Sequence, residues 1–355
     1  MPWRNALEPQ ALAGHFAAHP PQGFTVLQGL PAPAFAAPLD LLTTADDALK
    51  ARVRALPLFA RWSRWLRVTT GFVGTTVTEY APLPADGTAP EALAQAVRAG
   101  PGRRFALAII KDLPQQSPLL SDADNAYAAA LAHACERQGF VLVEGQALAY
   151  VPIDFASIAD YLGRLSASRR QNLRRKLRSR AGLAVRHIAT GEAFADDAVV
   201  DAYYALYEAV YAQSEVHFDR LTRGFFAAVL RDASSGGIAF EYRQAASGEL
   251  LGWNLCYVHG GRLVDKYIGL AYPAAREANL YFVSWMENLE YALAHGLTHY
   301  VAGWTDPEVK RSLGARFTFT RHAVYVRQPV LRALARRFAG RFESDRQWRD
   351  RAEAA

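Results

Sequence analysis

Along this chain the apolar positions switch repeatedly between the two-residue alternation of strands and the 3.6-residue spacing of helices, which predicts a mixed α/β protein. In the first half Phe24–Leu30 reads as a strand, Asp47–Leu66 as mostly helix, and Arg67–Tyr80, rich in Val and Thr, as strand again. Pro82, Pro84, Asp86, Gly87 and Pro90 punctuate a loop ahead of a short helix near Leu93–Ala99. Arg104–Lys111 is nearly all apolar, as a strand covered on both faces would be. Ser121, with Asp124 following in capping register, predicts a helix over Asn125–Gln138 that closes at Gly139 before a strand Phe140–Val143. An apolar stretch, Tyr150–Phe155, then leads into a basic segment, and the domain boundary is expected there.

The second half opens with a strand Leu183–Ile188 and helices Ala198–Ala212 and Leu221–Asp232, in which aromatics recur at helical spacing. Strands Gly237–Arg243, Leu250–Tyr257 and Leu263–Gly269 are separated by Ala246-Ser247-Gly248 and His259-Gly260-Gly261, the short Gly-containing connections of antiparallel hairpins. Arg276–His295 carries Phe282, Trp285, Met286, Leu289 and Leu293 on one helical face and stops at Gly296. Thr298–Ala302 and Phe317–Val326 read as the last strands. The tail Leu331–Ala355 holds Arg336, Arg337, Arg341 and Arg346 with Phe338, Phe342 and Trp348, a basic aromatic helix that caps the core, dimerises or touches acidic lipid. The expected organisation is therefore 1–155, 156–330 and 331–355.

Length and apolar content, 355 residues and 51%, favour two cores over one. No run approaches the roughly 20 apolar residues that span a bilayer, and Met1–Pro20 lacks a continuous apolar stretch, so a cytoplasmic protein is expected. Cys135 and Cys256 fit buried free thiols in a reducing compartment. The net charge of +6 is concentrated: Arg164, Arg169, Arg170, Arg174, Arg175, Lys176, Arg178 and Arg180 follow one another with no acid between them. Ile158, Leu162, Leu165, Leu173 and Leu177 give that segment an interrupted apolar stripe. Its other side is either a solvated basic face or a contact for the phosphates of a cofactor or tRNA.

The order of elements over about 157–327 resembles the GNAT acyltransferase fold. Three stretches resemble its Fem-type aminoacyl-transferase branch: the basic Ser168-Arg169-Arg170-Gln171-Asn172-Leu173-Arg174-Arg175, Trp285 with Glu287 and Glu290, and Glu308-Val309-Lys310-Arg311-Ser312-Leu313-Gly314. The resemblance implies two tandem GNAT-like domains, the first a degenerate copy. It also implies an N-acyltransferase that uses aminoacyl-tRNA or acyl-CoA as co-substrate, with no tightly bound cofactor and a small-molecule or peptide amine as acceptor.

Such transfer needs an activated carbonyl, a neutral amine and stabilisation of an oxyanion. In the resemblance the carbonyl lies beside the strand matching Leu263–Gly269, where two central strands splay apart. Strict alternation puts Asp265 and Tyr267 on one face and Val264, Lys266 and Ile268 on the other. Desolvating a carboxylate costs several kcal/mol, so Asp265 is either a general base or the structural partner of Lys266, Arg262 or another cation. Glu241, Trp253 and Asn254 on neighbouring strands are secondary, substrate-binding candidates. Tyr267, as a catalytic candidate, and Tyr272, as a substrate-binding one, are phenols able to protonate a leaving group, although tyrosines packed at a core edge are far commoner than catalytic ones. Lys310 is carried over from the resemblance as a stabiliser of negative charge, although a surface lysine on a helical turn is equally ordinary.

The resemblance also leads one to expect a glycine-rich pyrophosphate loop after that strand. Gly269-Leu270-Ala271-Tyr272-Pro273-Ala274-Ala275-Arg276 stands there instead, with a proline that removes a donor. Arg276 joins Arg169, Arg170, Arg174 and Arg175 as candidate donor-phosphate or tRNA ligands. His217, His259, His295, His299 and His322 are scattered, so no metal is expected. No Gly-x-Ser-x-Gly elbow, Walker loop or Rossmann fingerprint occurs, which disfavours hydrolase, NTPase and dehydrogenase chemistry. The competing class is a non-catalytic phosphate- or RNA-binding protein on a degenerate GNAT fold.

Overall fold

The structure, a computed structural model, describes residues 3–42, 47–214 and 218–338. His217 and the tail residues Arg341, Phe342, Arg346 and Trp348 lie outside them. The first half runs β1 (Trp3–Arg4), α1 (Ala11–Ala18), β2 (Thr25–Leu27), β3 (Ala34–Asp40), α2 (Asp47–Arg54), α3 (Phe59–Trp62), β4 (Arg67–Val73), β5 (Leu83–Pro84), α4 (Pro90–Ala99), α5 (Pro101–Arg104), β6 (Leu107–Gln115), α6 (Asp122–Arg137) and β7 (Val141–Pro152). Next come α7 (Ile158–Gly163), α8 (Ala167–Lys176), β8 (Leu183–Ala189), α9 (Asp197–Gln213), α10 (Arg223–Arg231), β9 (Gly237–Gln244), β10 (Leu250–His259) and β11 (Arg262–Leu270). The chain closes with α11 (Ala274–Glu277), α12 (Leu280–Ala294), β12 (His299–Gly303), α13 (Pro307–Ser312), β13 (Arg316–Val326) and α14 (Pro329–Phe338).

Local chemistry sets these boundaries. Ser121, Ser157, Thr222 and Asp196 each accept a backbone N–H at the start of a helix, from Asp124, Asp160, Phe225 and Ala198 respectively. The single helix expected over Arg276–His295 breaks into α11 and α12, because Asn279 sits in the left-handed region at φ 50°. Strand β6 starts later than expected, since Pro101 opens a helical turn.

Two compact units result, one from the described residues of Met1–Ala6, Pro20–Ala147 and Thr318–Ala355, the other from Leu7–His19 and Leu148–Phe317. Against the expected division at 155 and 330, the units are thus interleaved, because β7 and β13 each change unit along their length. In the first unit the strand order is β2-β3-β4-β6-β13, with β4 and β6 parallel and the other pairs antiparallel. In the second it is β7-β12-β11-β10-β9-β8, with β11 and β12 the parallel pair. Each unit therefore repeats the pattern of three antiparallel strands, a crossover helix and a parallel fourth strand, the α/β GNAT-like arrangement.

The second core fills both faces of its sheet. Phe240, Tyr242, Leu263, Trp285, Met286 and Leu289 pack on the side of α12. On the other side Trp253 stacks on Tyr203 with ring centroids 5.0 Å apart. A Cβ at Gly269 would come within 2.3 Å of Trp253 Nε1 and 2.9 Å of Leu206 Cβ. Gly269→Ala is expected to destabilise the protein by about 1–3 kcal/mol, read by chemical denaturation, because the buried indole has nowhere to move.

Candidate functional site

Strands β11 and β12 pair at Arg262↔His299, Leu263↔Tyr300 and Val264↔Val301, and there the ladder stops. Strand β11 continues to Leu270 paired only with β10, while β12 ends at Gly303, whose φ of 77° turns the chain away. The expected splay of the two central strands is present, and Asp265 is the first residue beyond its fork. In β12, Ala302 drops out of register with β7, where Val301 faces Tyr150 and Gly303 faces Ala149.

Asp265 is held by neutral donors. Its carboxylate accepts from Tyr300 OH at 3.0 Å, Asn288 Nδ2 at 3.1 Å and Asn254 Nδ2 at 3.4 Å. Asn254 also donates to Asn288 Oδ1 at 3.1 Å and accepts from Tyr242 OH at 2.8 Å, and Asn288 Nδ2 reaches Tyr300 OH at 3.1 Å. Burial pushes the Asp265 carboxyl above the ordinary aspartate range, and the Tyr300 hydrogen bond, the Lys310 charge and the Asn254 and Cys256 hydrogen bonds offset part of that rise. The residue nevertheless stays partly exposed. The neighbouring Cys256 thiol is pushed well up by burial and by the Asp265 charge, so it is no nucleophile.

Lys310, on α13, is buried and donates from Nζ to Ala302 O at 2.6 Å, the carbonyl next to the fork. It is therefore not a surface lysine. Trp285 Nε1 donates to Tyr161 OH at 3.0 Å, and Tyr161 OH donates to Leu313 O, which clips the end of α13 in place. Glu287 and Glu290 of the same α12 pair with Arg180 at 2.6 Å and 2.7 Å. Trp285 thus braces the helix that carries Lys310, whereas Glu287 and Glu290 tie α12 to Arg180.

A β-bulge separates residues that strict alternation would place together. Leu255 faces Tyr267 but Cys256 faces Asp265, so Lys266 is the extra residue and Tyr267 lies on the face opposite Asp265. Tyr267 packs edge-on against Phe225 and Phe226. Lys266 Nζ bonds Glu8 Oε1 at 2.8 Å, so it is not the partner of Asp265. Trp253 and Glu241 share that opposite face: Trp253 is fully buried and donates to Tyr203 O at 3.0 Å. Glu241 accepts from Arg243 at 2.7 Å and Tyr203 at 3.0 Å, which brings its carboxyl below the usual range despite the upward push of burial. Of the secondary candidates, only Asn254 reaches Asp265.

Sequence reasoning missed Asn288 and Tyr300. Asn288 carried a signal, since it falls on the same helical face as Trp285, Leu289 and Ala292, where an amide needs a buried partner. Tyr281 was missed as well. Its hydroxyl is buried without a hydrogen-bond partner among the described residues, and burial together with the charges of Asp306 and Asp265 raises its pKa.

After β11 the backbone donors are largely committed. Ala271 N–H bonds Leu251 O at 2.8 Å, Ala275 N–H bonds Ala271 O at 2.8 Å and Arg276 N–H bonds Pro273 O at 2.9 Å. Arg276 stacks over Tyr272 at 4.8 Å and its guanidinium also bonds Gln213. On α8 and the turn after it, Arg170, Arg174, Arg175 and Arg178 border an open concavity of about 430 Å³ together with Ala167 and Gln171. Arg169 and Arg174 project into solvent, Arg170 reaches Leu165 O at 3.2 Å and Arg175 reaches Asn172 at 3.0 Å. Of the eight cations in this segment, Arg164 is paired with Asp154 and Arg180 with Glu287 and Glu290, so the run is partly compensated.

Among the described residues no group of His, Cys, Asp and Glu is placed to hold a metal ion, and no helix is long and apolar enough to cross a membrane.

The repeated pattern and its forked parallel pair define a GNAT-like fold. The chain belongs to the FemAB-like family, described as peptidoglycan biosynthesis and recognition, whose pattern matches residues 92–353. No curated protein matches it in sequence. Its fold is similar to that of L-PGS from Bacillus licheniformis, with TM-score 0.52 at 10% identity over 95% of this chain and 98% of that one. FemX overlays with TM-score 0.49 at 12% identity, covering 92% and 98%. A tandem GNAT protein from the clavulanic acid biosynthesis pathway overlays with TM-score 0.44 at 12% identity, covering 92% and 91%.

Proposed function

We propose that the chain transfers an acyl or aminoacyl group from an activated ester or thioester to an amine, at the fork between β11 and β12. The observation that carries this reading is the pairing that ends at Val264↔Val301 with Asp265 just beyond it and Lys310 beside it. Asp265, its pKa raised by burial, takes the proton from the acceptor ammonium. The freed amine attacks the carbonyl carbon, and the oxyanion develops beside the Lys310 charge and the amide edge of β11 that β12 no longer covers. Collapse breaks the carbonyl–oxygen or carbonyl–sulfur bond, the leaving atom takes a proton, and the nitrogen gives up its extra proton, which restores the group that supplied it. Tyr281, kept protonated by burial, replaces Tyr267 and Tyr272 as the phenol proposed to supply it.

Aminoacyl-tRNA is the favoured donor. The hydrogen bonds of Ala271, Ala275 and Arg276 consume amides that a coenzyme A pyrophosphate would need, whereas the arginines of α8 offer side-chain contacts to a phosphate backbone. The test is to incubate the purified protein separately with charged tRNA and with acyl-CoA, each with an amine, and to follow loss of the acyl group. Discharge of neither donor above the rate seen without protein sinks the reading. The double substitution Arg174→Glu/Arg175→Glu is expected to weaken tRNA binding on the order of 10- to 100-fold and to flatten its salt dependence by about two counterions. Filter binding over a salt series measures both.

A further inference from the structure

The hairpin β10–β11 turns through Gly260 and Gly261 between the paired residues His259 and Arg262. Its counterpart in the first unit, β3–β4, is closed by the pair Asp40↔Arg67 and carries everything from 41 to 66 as an insertion. A hairpin needs no such length, and insertions of this size are commonly functional. The base is tied by Leu41 N–H to Leu66 O at 3.0 Å. At the tip Trp62 Nε1 donates to Pro57 O at 3.0 Å and packs edge-on against Phe59 at 5.2 Å.

This tip turns its apolar side chains outward. Leu56, Leu58 and Trp65 are 51%, 66% and 71% exposed, and Leu58 is held in the left-handed region at φ 58°. Arg52, Arg54, Arg61 and Arg64 are exposed among them, with Arg64 lying over the Trp65 ring at 5.9 Å. From Ala48 to Thr78 the sequence contains no Asp or Glu. A second copy of this surface would be repelled by its like charge. Nucleic acid would match the arginines but leave Leu56 and Leu58 in water. The headgroup region of an anionic bilayer satisfies both, with apolar tips in the acyl boundary and guanidinium groups at the phosphates.

We propose that residues 50–66 dock the protein onto an anionic lipid surface. The full chain is to be sedimented with phosphatidylcholine vesicles, with and without about 30% phosphatidylglycerol. Binding is expected only to the anionic vesicles. Leu58→Ser/Trp65→Ser should weaken it about tenfold and Arg52→Glu/Arg54→Glu/Arg61→Glu on the order of a hundredfold. Circular dichroism and melting should be unchanged in both variants, since the residues are exposed. A short RNA duplex is the comparison ligand. The proposal is overturned by absent vesicle binding, by vesicle binding that survives either variant, or by RNA binding that only the arginine variant abolishes while vesicles remain unbound.

Discussion

Asp265→Asn is expected to lower turnover by roughly 10²–10⁴-fold, because the amide cannot take the acceptor's proton. The substitution keeps the shape of the side chain, and the amide oxygen in the Oδ2 place still accepts from Tyr300 and Asn288, so the fold should hold. Its stability has a distinctive pH dependence. Burial raises the carboxyl's pKa, so the folded protein holds that proton more tightly than the unfolded chain does. The stability this group contributes is complete below the unfolded value and is lost as pH rises through the folded one. The variant lacks that loss, so its melting temperature should climb relative to the parent as pH rises above the ordinary aspartate value of about 4 and through the raised folded one. A variant that turns over at the parental rate would show that Asp265 is not the general base. A melting difference that stays flat with pH would show that the carboxylate is not desolvated.

Lys266→Met should cost about 3–5 kcal/mol of folding stability. The lysine side chain is 6% exposed and its Glu8 partner 0%, so removing the ammonium takes a charge partner from a fully buried carboxylate. Partner removal is what makes the loss large, and replacing both ends tests that directly. In Glu8→Gln/Lys266→Met the desolvated charges are gone, and most of the loss should be recovered. Urea denaturation of the two single variants and the double variant closes the cycle; additive losses would refute a coupled buried pair. The ion pair sits at the bulge, so it also holds in place the irregularity that sends Asp265 to one face and Tyr267 to the other.

That bulge marks the limit of what alternation reveals. Asp265 was legible as a candidate, and Ser121 with Asp124 announced α6, since each rests on a residue type whose burial or capping demand is local, whereas Lys310 came from the family resemblance alone. One inserted residue inverts every side chain beyond it, and no pattern of apolar positions distinguishes Lys266 as that residue. The same inversion of faces removed Tyr267, and the sheet's two-sidedness removed Trp253 and Glu241. Strand β3 was not legible because Ala34-Phe35-Ala36-Ala37-Pro38 lacks alternation and contains a proline. Helix α1 is rich in small alanines that give little periodic signal. Tyr300 and Asn288 come to Asp265 from elements distant in sequence, and only the assembled sheet and helix bring them together.

The pairing of β13 with β6 bears on how the protein is made. During synthesis β6 emerges long before its neighbour, and its hydrogen-bonding edge stays bare until residues 316–326 have left the ribosome. Bare edges invite pairing with other chains. The nascent first half therefore needs shielding until β13, made long afterwards, seals it.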